Sequence, residues 1–133
     1  MDAQQELFTA IRAACVEVFG EQNTYDTFLP PDGTPYPFVY LADVFQYEDD
    51  VKSGDIGDVT INVHVWHNNP RERGRVSGWL MAIKGKSKQI TETTSYGWVY
   101  RANASTESIL PDTTTKTPLL HGILELRFKY SRR

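Results

Sequence analysis

The sequence predicts an α+β fold: a mainly antiparallel four-stranded sheet with two helices packed on one face, in the order α-β-β-α-β-β. Three observations lead there. Two segments space their apolar residues by three and four, four segments alternate or concentrate strand-forming residues, and the strands fall into two pairs separated by a helix. With 133 residues and no internal repeat or boundary, the chain makes one domain, 1–133, around one core.

The first helix is expected over 4–19, because Leu7, Ile11, Cys15 and Val18 recur on one face and Gly20 stops it. EQNTYDTFLPPDGTPYP then holds Pro30, Pro31, Gly33, Pro35 and Pro37, too many prolines for a helix or central strand, and reads as an extended connector. Phe38 to Tyr47 is the first strand. Val59, Ile61, Val63 and Val65 alternate with Thr60, Asn62 and His64 in the second, and the acidic, glycine-containing stretch between them forms a long hairpin tip.

A second helix is expected from Asn69, with Asn as cap, Pro70 in the first turn and Glu72 reaching back, to about Gly85. Val76, Trp79, Leu80 and Ile83 give it an apolar face, and Gly74 and Gly78 imply a close backbone contact within the fold or between subunits. Tyr96 to Ala102 and Gly122 to Tyr130 are the third and fourth strands, the latter with Leu124, Leu126, Phe128 and Tyr130 on one face. The polar segment 103–118 between them reads as a long loop.

Composition narrows the function. No apolar run reaches the roughly 18 to 20 residues of a membrane span, and MDAQQELF has neither the basic start nor the apolar stretch of a secretion signal, so a cytosol is the expected site of synthesis. The single cysteine, Cys15, forms no internal disulfide and lies on an apolar helix face, as core rather than nucleophile. Asn103, Ala104 and Ser105 spell a glycosylation sequon that has no meaning without secretion.

No motif of catalytic or metal chemistry survives inspection. His64 and His67, three apart, point to opposite faces of a strand, and Cys15 and His121 are too distant in sequence to complete a zinc site. Gly85, Lys86 and Ser87 resemble the end of a phosphate loop, but Leu80 stands where its first glycine belongs. The acidic tip fails as a calcium loop at Val51, Ser53 and Thr60. The expectation is no enzyme, no cofactor and no metal, and an acidic chain without a nucleic-acid motif is not expected to recognise DNA.

Charge is unevenly placed. Asp43, Glu48, Asp49, Asp50, Asp55 and Asp58 outnumber Lys52, whereas Arg71, Arg73, Arg75, Lys84, Lys86 and Lys88 outnumber Glu72. Both runs fit a solvated surface, and both fit complementary patches that meet across a subunit interface. In that second reading Glu48, Asp49, Asp50, Lys52, Asp55, Asp58, Arg71, Arg73 and Arg75 are the interface residues.

Order and spacing carry a resemblance. A strand approached through Tyr-Pro-Phe, the hairpin Tyr-Glu-Asp-Asp-Val-Lys-Ser-Gly, a strand ending in His-Val-Trp, the helix start Asn-Pro-Arg-Glu-Arg-Gly-Arg and the stretch Thr-Pro-Leu-Leu-His-Gly before the last strand span about Tyr36 to Tyr130. Together they resemble the tail-terminator or tail-completion (head-tail joining) proteins of siphophages of lactic-acid bacteria and related Gram-positive hosts. The resemblance implies a structural, ring-forming protein, commonly hexameric, that caps the head-proximal end of the tail tube, stops tube growth and docks the head connector. It also implies the tube protein and connector as partners, DNA passing through the lumen without specific binding, no membrane, and a place in the virion after assembly in host cytoplasm. The alternatives are a head-side completion or connector protein, or a small phage enzyme or nucleic-acid-binding module.

Overall fold

The computed structural model of the protein describes residues 1–49 and 55–133. Helix α1 (Ala3–Phe19) starts at Asp2, whose carboxylate accepts the Gln5 N–H at 2.9 Å, and ends at Gly20, where φ is 85° and the N–H returns to the Val16 carbonyl. Its buried stripe, Ala3, Leu7, Ile11, Ala14 and Cys15, lies in the core. Burial pushes the Cys15 thiol up to about 12, so it packs as an inert apolar group.

The strands are β1 (Thr24–Asp26), β2 (Phe38–Glu48), β3 (Ile56–His67), β4 (Tyr96–Tyr100), β5 (Thr106–Asp112) and β6 (Leu119–Arg132), with helix α2 (Arg73–Ser87) between β3 and β4. They form one six-stranded sheet in the order β1-β2-β3-β6-β4, and β5 also pairs with β6. The expected four-stranded, mainly antiparallel sheet is therefore corrected to a mixed one, because β1 runs parallel to β2, and the order becomes α-β-β-β-α-β-β-β. Both added strands are edges. β1 is three residues inside the expected connector, and β5 lies within the expected loop 103–118, its side chains mostly exposed on both faces, so neither shows alternation.

β4 and β5 follow one another along the same side of β6, pairing with 128–132 and 119–125. The changeover falls at Arg127, whose carbonyl accepts the Arg101 N–H at 2.8 Å and whose own N–H donates to Ser105 Oγ at 3.0 Å. No backbone group of β6 is sacrificed there.

Both helices cover one face. Val59, Ile61, Val63 and Val65 of β3 and Leu124, Leu126 and Phe128 of β6 are fully buried against them, with Tyr130 at 1% exposure. Gly122 sets the distance, since a Cβ there would stand 3.0 Å from Val76 Cγ1 and from Leu80 Cδ1. Gly74 and Gly78 have no described atom of their own fold within 4 Å of a would-be Cβ, so of the two contacts expected for them the one within the fold is absent.

The helix start also differs. Asn69 Oδ1 accepts the Arg71 N–H and closes a turn ahead of the helix, while Glu72, at the cap position, turns its carboxylate to His67 Nε2 at 2.7 Å instead of reaching back. Helix α2 runs past Gly85 to Ser87, whose hydroxyl donates to the Ile83 carbonyl.

On the other face of the sheet no helix covers the described residues. A bulge at Asp43, with φ 54°, shifts the β2–β3 register between Ala42 and Val44. Phe45 and Tyr47 consequently face the open side, although Val39 and Leu41, of the same parity, face the core. His64 and His67 do point to opposite faces. His67 is buried edge-on to Trp79, while His64 Nδ1 meets His121 Nε2 at 2.8 Å and His121 stacks on Trp66 with centroids 3.8 Å apart. The fold thus joins the two histidines that sequence distance separated.

Two stability predictions follow from this geometry. Gly122→Ala should lower the denaturant midpoint by an overpacking cost of about 1–3 kcal/mol, while Gly74→Ala should raise it by up to about 1 kcal/mol; equal effects would contradict the assigned helix–sheet contact. Burial, then the neighbouring His64, lowers His121 from 6.5 to about 4, and burial also lowers His64. The folded state therefore binds fewer protons than the unfolded chain between those values, so this stabilisation is complete above pH 6.5 and is lost as pH falls towards 4. His121→Gln should flatten the fall in Tm over that window; an unchanged slope would contradict the assignment.

Candidate assembly interface

The acidic tip and the start of the basic run lie at opposite ends of β3, and α2 carries the lysines of the basic run back along the sheet, so that Lys88 stands over Tyr100. β3 carries the chain from the hairpin tip to the turn before α2, and its 12 residues span roughly 36–40 Å at the usual strand rise. The fold then commits many of the charges internally. Asp58, its side chain 13% exposed, pairs with Arg127 at 2.8 Å and lies 3.8 Å from Arg101, and Asp55 is 3.9 Å from Arg132. Glu48 and Asp49 remain exposed at the end of β2. Asp50 and Lys52 lie outside the described residues.

The basic run thins in the same way. Lys84 pairs with Glu107 at 3.0 Å, Lys86 with Glu17 at 2.8 Å, and Lys88 stands over the Tyr100 ring. Arg75 reaches Glu72 at 3.5 Å and lies over Trp79. Arg71 and Arg73 are exposed and make no ion pair among the described residues, which leaves them as the available cations at the start of α2. Exposed pairs contribute little stability, about 0–1 kcal/mol each, but they decide which charges face a partner uncompensated.

Sequence spacing did not reveal which apolar side chains the uncovered sheet face exposes. Phe45 and Tyr47 are 49% and 53% exposed, and Val99 and Leu110 are 64% and 50% exposed. Across the sheet, Tyr47, Asp58, Lys129 and Val99 form one row, apolar at both ends and charged in the middle. Apolar side chains thus stand exposed towards both edges of this face, with Asp58, Arg127 and Lys129 between them.

Where β2 begins and β3 ends, the proline-rich segment folds over this open face and leaves a cavity of about 640 Å³. Tyr36, Phe38 and Trp66 supply aromatic walls, and Asp32 and Asp112 supply carboxylates. The N–H and hydroxyl of Thr114 both donate to Asp112 Oδ1 and hold that carboxyl below the usual range. No lysine or arginine lines the cavity. Eighty residues separate the two acids, and pairing of β5 with β6 brings Asp112 there, opposite Leu119.

No group of three or more His, Cys, Asp or Glu side chains among the described residues is placed to hold a metal ion, and no described helix is long and apolar enough to cross a membrane. No family model and no curated sequence matches the chain. Among the solved structures that share its fold, two do so along almost their whole length. One is a chain of the virion of a native gene transfer agent particle, with TM-score 0.58 and 14% identity over 97% of this chain and 94% of that one. The other is the gp17 protein of bacteriophage SPP1, with TM-score 0.55 and 19% identity over 95% and 89%.

Proposed function

We propose that this protein is a structural component of a phage or phage-like virion: a tail terminator that forms a ring, of six copies, at the head-proximal end of the tail tube. The observation that carries the reading is the fold likeness to a virion chain over 97% of this protein and 94% of the other. The order of motifs from Tyr36 to Tyr130 supports it independently.

The mechanism is assembly rather than chemistry. A closed ring uses two different surfaces of each copy, so that every contact is heterologous and rotation closes it. One ring surface matches the last layer of tube protein, and the other offers the head connector a docking site while denying the next tube layer a partner. Arg71 and Arg73 supply the cationic half of the contact between copies, with Arg75 buttressed behind them by Glu72 and Trp79. Glu48 and Asp49, at the other end of the β2–β3 hairpin, face the lumen, where like charge lets genomic DNA pass without binding. The protein takes no cofactor, is made in host cytoplasm and ends in the virion.

The test mixes the purified protein with isolated tubes and with tailless heads of its particle and images both by negative stain. Rings should decorate tube ends; rings on heads alone would make it a head-side completion protein and end the terminator reading. In the same assay, Arg71→Glu, Arg73→Glu and Arg75→Glu together should abolish decoration while leaving circular dichroism unchanged and Tm within a few degrees, since exposed charges contribute little to folding.

A further inference from the structure

The ring reading leaves open which acidic surface receives Arg71 and Arg73, and three features of the fold converge on one answer. The first is the cavity over the open sheet face. Its carboxylates meet no lysine or arginine of their own chain in the cavity: Asp32 has no partner among the described residues, and Asp112 accepts from Thr114 and lies near the imidazole of His121. Tyr36, Phe38 and Trp66 beside them are rings of the kind on which guanidinium groups sit, Tyr36 the exposed one and Trp66 with one face already on His121. The site has the chemistry of an arginine receptor and holds no arginine of its own chain.

The second feature is where the free arginines stand. Arg71 and Arg73 lie at the start of α2, in the layer that covers the opposite face of the sheet, yet at the same end of β3 as the cavity. Neither of them lines the cavity of its own copy. A neighbour turned with its helix layer towards this open face can bring them there.

The third feature is the outward stripe of α2. Gly74, Gly78, Ala82 and Gly85 are exposed at helical spacing, and nothing of this chain lies within 4 Å of a Cβ built on any of the three glycines. Glycine weakens a helix interior, and inside the fold nothing requires it there. A flat neighbour does. The open sheet face, with Phe45, Tyr47, Val99 and Leu110 exposed, supplies one.

We propose that in the ring the α2 layer of one copy packs on the uncovered sheet face of the next, with Arg71 and Arg73 entering the aromatic cavity between Asp32 and Asp112. The contact rests on the ring reading above and deepens it. Every copy offers both surfaces, on opposite sides, so the contact is heterologous and repeats around a closed ring. The smooth stripe brings the backbone of α2 close, and the arginines fix its position along the sheet.

Decoration of isolated tubes by variants tests it. Asp32→Asn with Asp112→Asn should raise the concentration that decorates half the tube ends by roughly thirtyfold or more, the scale of losing a desolvated charge pair. Asp32→Lys with Asp112→Lys, combined with Arg71→Glu and Arg73→Glu, should restore decoration. Gly78→Leu should keep or raise Tm and still abolish rings. Oxidising decorated tubes of Asp32→Cys with Arg73→Cys should yield a covalent ladder ending at the closed oligomer, since Cys15 is buried and takes no part. Rings that persist in the Asn and Leu variants, with no ladder in the Cys pair, would overturn this contact and leave the ring reading standing. Wild-type protein that forms no ring on tubes or heads would overturn both. Rings that remain closed in the Asn variant but no longer hold the tube would assign the cavity to a tube arginine, and so overturn the contact between copies.

Discussion

Strand β6 is the constraint on which the rest depends. Over 14 residues it pairs with β3 on one side and with β5 and then β4 on the other, so four strands share one register. Alternation puts Leu124, Leu126, Phe128 and Tyr130 under the helices and Glu125, Arg127 and Lys129 on the open face. A slip of one residue would exchange the two sets and bury three charges. The same register that builds the core therefore lays His121 on Trp66 and Arg127 on Asp58. Core and open face are two readings of one ladder.

Elements with an unbroken period were legible in the sequence. The alternation in β3 and β6 and the stripe of α1 gave their faces correctly, because burial on one side leaves a direct trace in residue type. Three features left no such trace. β1 and β5 are short edge strands, β1 parallel and β5 exposed on both faces, and their pairing partners lie elsewhere in the chain. The bulge at Asp43 breaks parity within β2, so Phe45 and Tyr47 look like core residues by count and are surface residues in fact. At α2, Glu72 had two possible partners, and the imidazole of His67 won over the helix backbone.

The candidate site was legible as a tendency and not as a list of residues. Composition marked an acidic and a basic run, and the fold places the acidic tip and the arginines that start the basic run at opposite ends of β3. It could not show that Arg127 and Arg101 serve Asp58, that Lys84 and Lys86 serve Glu107 and Glu17, or that Asp32 and Asp112 converge. Charges matter to a partner only after the fold has taken its share. What remains includes Arg71 and Arg73 on one layer and two carboxylates in an aromatic cavity on the other. The proposed ring, in which copies bind one another in a directed way, needs such an unequal pair of surfaces and would gain specificity from charge more than raw affinity.

The central claim is that copies of this chain close into a ring through unlike faces on the end of a tail tube. A reconstruction of the decorated tube end by electron cryo-microscopy tests it most directly. The account predicts one layer of copies related by sixfold rotation, each with α2 against the open sheet of the next and the guanidinium groups of Arg71 and Arg73 beside Asp32 and Asp112. Copies related by a twofold axis, an open helical array, or a ring joined through α1 with the sheet face bare would contradict it.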